Sequence, residues 1–173
     1  YFALSNEWPW GLMEFIRLAK IKNLPLVCTL QNSYSLINRI VELGMTEIFF
    51  REKLSFFSYS PLGFGHLSGK YLKDPKASGR VNLFPGYAQR YNKSGVKKAI
   101  EKYDALAAKR NVSLTDLALS FVYSQWFVTS TVIGATNMNQ LKQNIAAYGL
   151  DIVDEELIQE IDAIHLDAMN PAP

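Results

Sequence analysis

Cysteine is nearly missing from this sequence: Cys28 is the only one in 173 residues, and only two histidines accompany it. A lone cysteine excludes an internal disulfide and any all-cysteine metal site, and it suits a reducing, cytoplasmic setting. No metal site is expected. Charge of one sign is also scarce: 18 basic and 16 acidic residues leave a net +2. No block of like charges forms a face for a polyanion, so nucleic acid is not an expected partner. Long apolar runs are absent too. Those around Val27 and Phe121 fall far short of the ~20 residues that cross a bilayer, and no charged start with an apolar core marks a leader, so no membrane partner is expected. What remains is a chain about half apolar, long enough for one domain over 1–173.

Its apolar pattern alternates between two periods. "YFALSN" reads as a strand, and "PWGLMEFIRLAKIKN" sets Leu12, Phe15, Ile16 and Ala19 on one helical stripe with Pro9 in the first turn. "PLVCTLQNS" reads as a continuous strand buried on both faces, followed by a helix from about Leu36 to Lys53. "LSFFSYS" is the third strand. A long irregular insertion, about 61–94, follows; loops of that length are usually lids or binding loops. Val96, Ile100, Tyr103 and Ala107 mark an amphipathic helix, and a Ser113/Asp116 capping box opens another that is apolar nearly all round. "TSTVIGAT" is the fourth strand. Asn137 starts the helix carrying Leu141 and Ile145, and Asp154 caps an extra last helix.

Strands alternating with helices predict parallel βα units with right-handed crossovers. The first crossover, "SNEWPWG", lacks the glycine fingerprint of a dinucleotide-binding doubly wound sheet. The better match is an α/β fold in which these units form part of a (β/α)8 TIM barrel. Such a barrel gathers polar residues at the carboxyl ends of its strands, and here those ends carry Ser5 and Asn6, Gln31 and Asn32, Tyr59 and Ser60, and Gly134 and Thr136. The first residues already read as a strand, so the sequence is expected to be the later part of something longer. Four strands would leave two open edges and an apolar inner face, which predicts self-association or pairing with a missing N-terminal half.

If these four strands are the last four of a barrel, "SPLGFGHLSGKY" after the third and "GATNMNQLKQN" after the fourth occupy the two loops where barrels commonly hold phosphate. Glycines let backbone approach a phosphate, Lys70 and Arg80 supply charge, and the amides of the helix start after Thr136 supply donors. Taken alone, a glycine cluster marks a turn and a lysine is a solvated surface group.

Four motifs in register, "ALSNE", "QNSYSLINR", "SYSPLGFGHLSGKY" and "VIGATNMNQLKQN", are more specific. Together they resemble the aldo-keto reductase superfamily, particularly its branch of potassium channel β subunits and bacterial reductases, and the resemblance runs from the family's fifth strand to its final helices, which implies the C-terminal half of the (β/α)8 TIM barrel. The resemblance implies an oxidoreductase binding NADP and, when complete, a carbonyl substrate. It assigns Ser5, Asn6 and Gln31 to the nicotinamide carboxamide and Tyr59 to stacking on the ring. It assigns Ser60, Pro61, Leu62, Gly63 and Lys70 to the pyrophosphate and Arg80 to the adenosine end. Gly134, Thr136, Gln140, Gln143 and Asn144 match positions holding the 2'-phosphate and adenine; related proteins often carry an acidic residue where Gln143 stands. The family's catalytic aspartate, tyrosine, lysine and histidine come from its first four strands and have no counterpart here, so no residue of this chain is expected to be catalytic. His66 and His165 lack the neighbouring tyrosine and lysine and read as structural, and Cys28 as a buried small hydrophobe. A second reading stays open: a nonenzymatic cofactor-binding or scaffold half-barrel from a truncated reading frame.

Overall fold

A computed structural model of the chain describes residues 1–84, 86 and 89–173. Four strands, β1 (Phe2–Ser5), β2 (Val27–Ser33), β3 (Ser55–Tyr59) and β4 (Ser130–Val132), pair parallel in the order β1-β2-β3-β4. Two helices stand between the first three strands, α1 (Pro9–Lys22) and α2 (Met45–Glu52). The short helices α3 (Lys70–Lys73) and α4 (Arg80–Leu83) follow β3, then α5 (Ser94–Lys109) and α6 (Leu114–Tyr123). After β4 come α7 (Met138–Ala146) and α8 (Glu155–Asp167). Parallel neighbours in sequence order, each joined through a helix, make this part of a (β/α)8 barrel.

The helix starts are where the sequence puts them. Ser113 Oγ accepts from the Asp116 amide at 3.1 Å, Asn137 Oδ1 from the Gln140 amide at 3.0 Å, and Asp154 Oδ1 from the Leu157 amide at 2.7 Å. Each satisfies an amide that has no partner inside its own helix.

The core lies between the sheet and its helices. Leu30 and Phe56 point to that side and are fully buried with Tyr34, Leu12, Val96, Tyr103 and Phe121. Strand side chains alternate, so Ser5, Thr29, Gln31, Ser55, Phe57 and Tyr59 share the other face, where each is half-buried or exposed. Two expectations change here. The second strand is buried on one face, not both, and the inner face is mostly small and polar, with Phe57 and Val132 its main apolar members. "VCTLQNS" alternates rather than running apolar throughout, and on the side it turns away from the helices Thr29, Gln31 and Ser33 are only half-buried.

Other boundaries shift for local reasons. The helix expected from Leu36 to Lys53 is a turn at Ser35–Asn38, a 3-10 turn at Ile40–Glu42 and α2, interrupted at Gly44 with φ 95°. The insertion is built of 3-10 and α turns at Gly63–Ser68, Lys70–Lys73, Arg80–Leu83 and Gln89–Tyr91; its residues 85, 87 and 88 lie outside the described residues. Phe15 and Ile145, both expected on packed stripes, are exposed, and α7 packs through Asn144 instead. Cys28 is half-buried at a β-bulge where Phe2 and Ala3 face Val27 and Thr29, and its thiol donates to the Phe2 carbonyl at 3.1 Å.

Candidate functional site

Ser5, Gln31 and Phe57 face one another across β1, β2 and β3 near the strands' carboxyl ends. Asn6 leaves β1 in the left-handed region, φ 58°, which asparagine tolerates well. Its amide donates to the Gln31 carbonyl at 2.9 Å, and its side-chain amide donates to Ser5 Oγ at 3.1 Å. Tyr59, 53 positions later, donates its hydroxyl to Asn6 Oδ1 at 2.7 Å. Ser5, Asn6, Gln31 and Tyr59 are thus one connected group at the end of the sheet. Asn32, beside Gln31 but on the helix side, donates to the Glu7 carbonyl at 2.9 Å and fixes the turn that follows Asn6.

The loop after β3 is wound tightly. Ser60, Gly63, Phe64 and Gly65 all have positive φ. For Ser60 and Phe64 that conformation costs on the order of 1–3 kcal/mol each, and strain of this kind concentrates at functional sites. A Cβ on Gly63 would meet Ile37 Cδ1 at 3.0 Å and Tyr91 Cε1 at 3.3 Å, so only glycine fits without displacement. Pro61 is buried beside it and Leu62 packs on the core. Lys70 folds back over this turn: its ammonium donates to the Ser78 carbonyl at 3.1 Å and sits 4.8 Å from the Tyr71 ring centre. Arg80 lies over the Phe64 ring at 5.7 Å. Both predicted cations therefore border the glycine turn, and an added Cβ at Gly79 would collide with Lys70 Nζ and Tyr71 Oη.

Beyond β4, Thr136 donates from both its amide and its hydroxyl to Gln140 Oε1, at 2.8 and 3.0 Å. This pair closes the start of α7, where the Met138 and Asn139 amides have no acceptor within the helix. Asn144 is buried and donates to the Gly134 carbonyl at 3.1 Å, so both act as scaffold for the same loop. Gln143 goes elsewhere: its side-chain amide donates to Ser113 Oγ and Asp116 Oδ1, each at 3.1 Å, at the cap of α6.

His66 is sandwiched between Tyr71 and Tyr91, with ring centres 5.0 and 5.3 Å away. Burial, then the Lys70 charge, hold its pKa below the usual histidine range; burial, then Arg39, do the same for His165. Both imidazoles are held neutral in the folded protein, so the unfolded chain takes up protons first as pH falls below ~6.5. Stability is expected to be level above that pH and to decline as the pH falls below it. Calorimetric Tm values should show the decline, and a His66→Gln/His165→Gln chain should show less of it. A Tm unchanged over that fall in pH would contradict the burial of both rings.

Among the residues the sequence did not single out, Arg39 stands out. It is largely buried and bound to Glu42 and Asp162. A lone cation amid apolar neighbours in "SYSLINRIV" is the one signal that could have found it. Among the described residues there is no cluster of three or more metal-ligating side chains, and no helix is long and apolar enough to cross a membrane.

The group at the strand ends combines donors and acceptors with no carboxylate, while the two loops add cations and helix amides. Such a set fits a carboxamide at one end and phosphates at the other. Comparison with known proteins agrees with the architecture. The model of the Aldo/keto reductase family matches residues 1–165. Protein Tas of Escherichia coli (strain K12) is 40% identical over 173 residues, covering 100% of this chain and 50% of the relative. An aldo-keto reductase of Babesia bovis is 38% identical, covering 95% and 60%. A probable voltage-gated potassium channel subunit beta of Oryza sativa subsp. japonica is 27% identical, covering 90% and 51%. The chain spans about half the length of most of these relatives.

Proposed function

From the premise that the chain belongs to the aldo/keto reductase family, we propose that it is the NADP(H)-binding part of a reductase that transfers hydride to aldehydes or ketones when its barrel is complete. The observation that carries this reading is the hydrogen-bonded group of Asn6, Ser5, Gln31 and Tyr59 beside two anion-suited loops. Bound there, the nicotinamide would supply the hydride. The chain's own residues hold and orient it. Ser5, Asn6 and Gln31 have the mixed donors and acceptors a carboxamide needs, and Tyr59 offers a ring for stacking. Gly63 allows close backbone approach, and Lys70 and Arg80 offset phosphate charge. Thr136 and Gln140 at the start of α7 suit the 2'-phosphate, with Gly134 and Asn144 shaping the loop. Gln143 would reach the adenine only by leaving Ser113 and Asp116.

The two open sheet edges and the polar face away from the helices fit the remainder of a barrel, supplied by an N-terminal half or by a second copy. A reducing cytoplasm suits the free thiol of Cys28. The potassium channel subunit among the relatives favours a second reading, a cofactor-binding scaffold without chemistry.

Titration with NADPH and NADH, followed by fluorescence of Trp8 near the Asn6 turn or by calorimetry, tests the proposal. NADPH is expected to bind more tightly than NADH because of the 2'-phosphate contacts at Thr136. No binding of either at millimolar concentration, on this chain and on the chain completed with an N-terminal half, would defeat it.

A further inference from the structure

We propose that the segment after α8, Asn170–Ala172, acts with Arg39 as a positioning element that fixes the ends of β2 and β3. This inference rests on reading those ends as the cofactor face. The observation behind it is that a segment with no regular structure of its own is tied to the core, Ala172 buried and Asn170 and Pro171 half-buried. Ala172 is fully buried and its amide donates to the Ile37 carbonyl at 3.1 Å, while Asn170 Oδ1 accepts from the Arg39 amide at 2.6 Å. Asn170 adopts φ 44° to make that contact.

From these two anchors the restraint runs to the strand ends by two routes. Along the backbone, Asn38 and Ser35 exchange amide hydrogen bonds at 3.0 Å, Asn38 Nδ2 donates to Ser33 Oγ at 2.6 Å, and the Tyr34 amide donates to the Tyr59 carbonyl at 3.2 Å. Through side chains, the Arg39 guanidinium binds both Glu42 oxygens at 2.7 and 2.8 Å and Asp162 Oδ1 at 2.7 Å. Glu42 in turn accepts from the Tyr34 hydroxyl at 2.5 Å. Burial first, then the Glu42 charge, push the Tyr34 phenol far above its usual range, so it stays a donor.

Residues 34–44 form only turns, so beyond the burial of Tyr34, Leu36, Ile37 and Val41 their backbone is placed by such bonds rather than by a helix or ladder. Without the segment after α8, the Ile37 carbonyl and the Arg39 amide lose their partners, and the turn that sets Ser33, Tyr34 and Tyr59 loses two of its anchors. Asn170 and Arg39 are positioning residues, since neither lies on the face that Gln31 and Tyr59 share.

Amide hydrogen exchange on this chain, without cofactor, tests the idea separately from the binding proposal. In Asn170→Ala, and in a chain ended after Ala168, the Tyr34, Asn38 and Arg39 amides are expected to exchange about tenfold faster, with Leu30 and Phe56 changed by about twofold or less. Asn170→Asp, which keeps an acceptor for the Arg39 amide, is expected to restore protection. Unchanged Tyr34 and Asn38 amides in Asn170→Ala would overturn the proposal. So would a loss spread evenly to Leu30 and Phe56, or a failure of Asn170→Asp to rescue.

Discussion

Truncating Phe56 to alanine is expected to cost about 3–5 kcal/mol, the range for removing a fully buried aromatic ring. Phe56, the second residue of β3, is 0% exposed. Its ring stacks on Phe49 at 5.0 Å and meets Phe127 at 6.0 Å and Tyr34 at 6.4 Å, edge-on to the last. These neighbours come from α2, from the approach to β4 and from the turn after β2, so the cavity would loosen three elements at once. Folding free energies of ordinary domains are about 5–15 kcal/mol, and a sheet with two open edges has little in reserve. Urea denaturation followed by circular dichroism should show the midpoint falling sharply or the transition vanishing. Phe56→Leu, which keeps more of the volume, should lose markedly less. A cost below about 1 kcal/mol for the alanine variant would mean that the helix-side core is not what supports β3.

The second large effect concerns binding. Changing Lys70 and Arg80 together to alanine is expected to weaken NADPH binding about a hundredfold, since charge-assisted hydrogen bonds contribute about 1.5–3 kcal/mol each before screening. In this structure Lys70 contacts the Ser78 carbonyl and the Tyr71 ring, and Arg80 covers Phe64. Neither side chain belongs to the main hydrophobic cluster, so Tm should move little while affinity falls. Salt should weaken binding to the unaltered chain more than to the variant, because two of the screened charges are gone. An affinity unchanged in the double variant would detach the glycine turn from the phosphates. The proposed carboxamide contacts of Ser5, Asn6 and Gln31 are independent of that result.

Both predictions reach β3, whose end meets Asn6 through Tyr59. That link is the route by which packing of the core would bear on the proposed binding. A strand that shifts by a fraction of an ångström changes the 2.7 Å hydrogen bond at its end, and the strand is held by the core on one face only.

By itself the sequence determined the order of strands and helices, the caps at Ser113, Asn137 and Asp154, and the polar residues closing each strand. These signals lie within a few residues of one another, in periodicity and in caps that bond three positions along. Even so, Gly44 broke a predicted helix, and the burial of Asn144 rather than Ile145 in α7 was invisible to a count of apolar residues. Only the tertiary structure decided that Asn6 and Tyr59 meet, that Lys70 and Arg80 flank one turn, that Gln143 turns to Ser113, and that Arg39 joins α8 and the segment after it. The reason is distance along the chain. Which partners meet across tens of residues depends on how parallel crossovers stack strand ends side by side, and no local pattern encodes that placement.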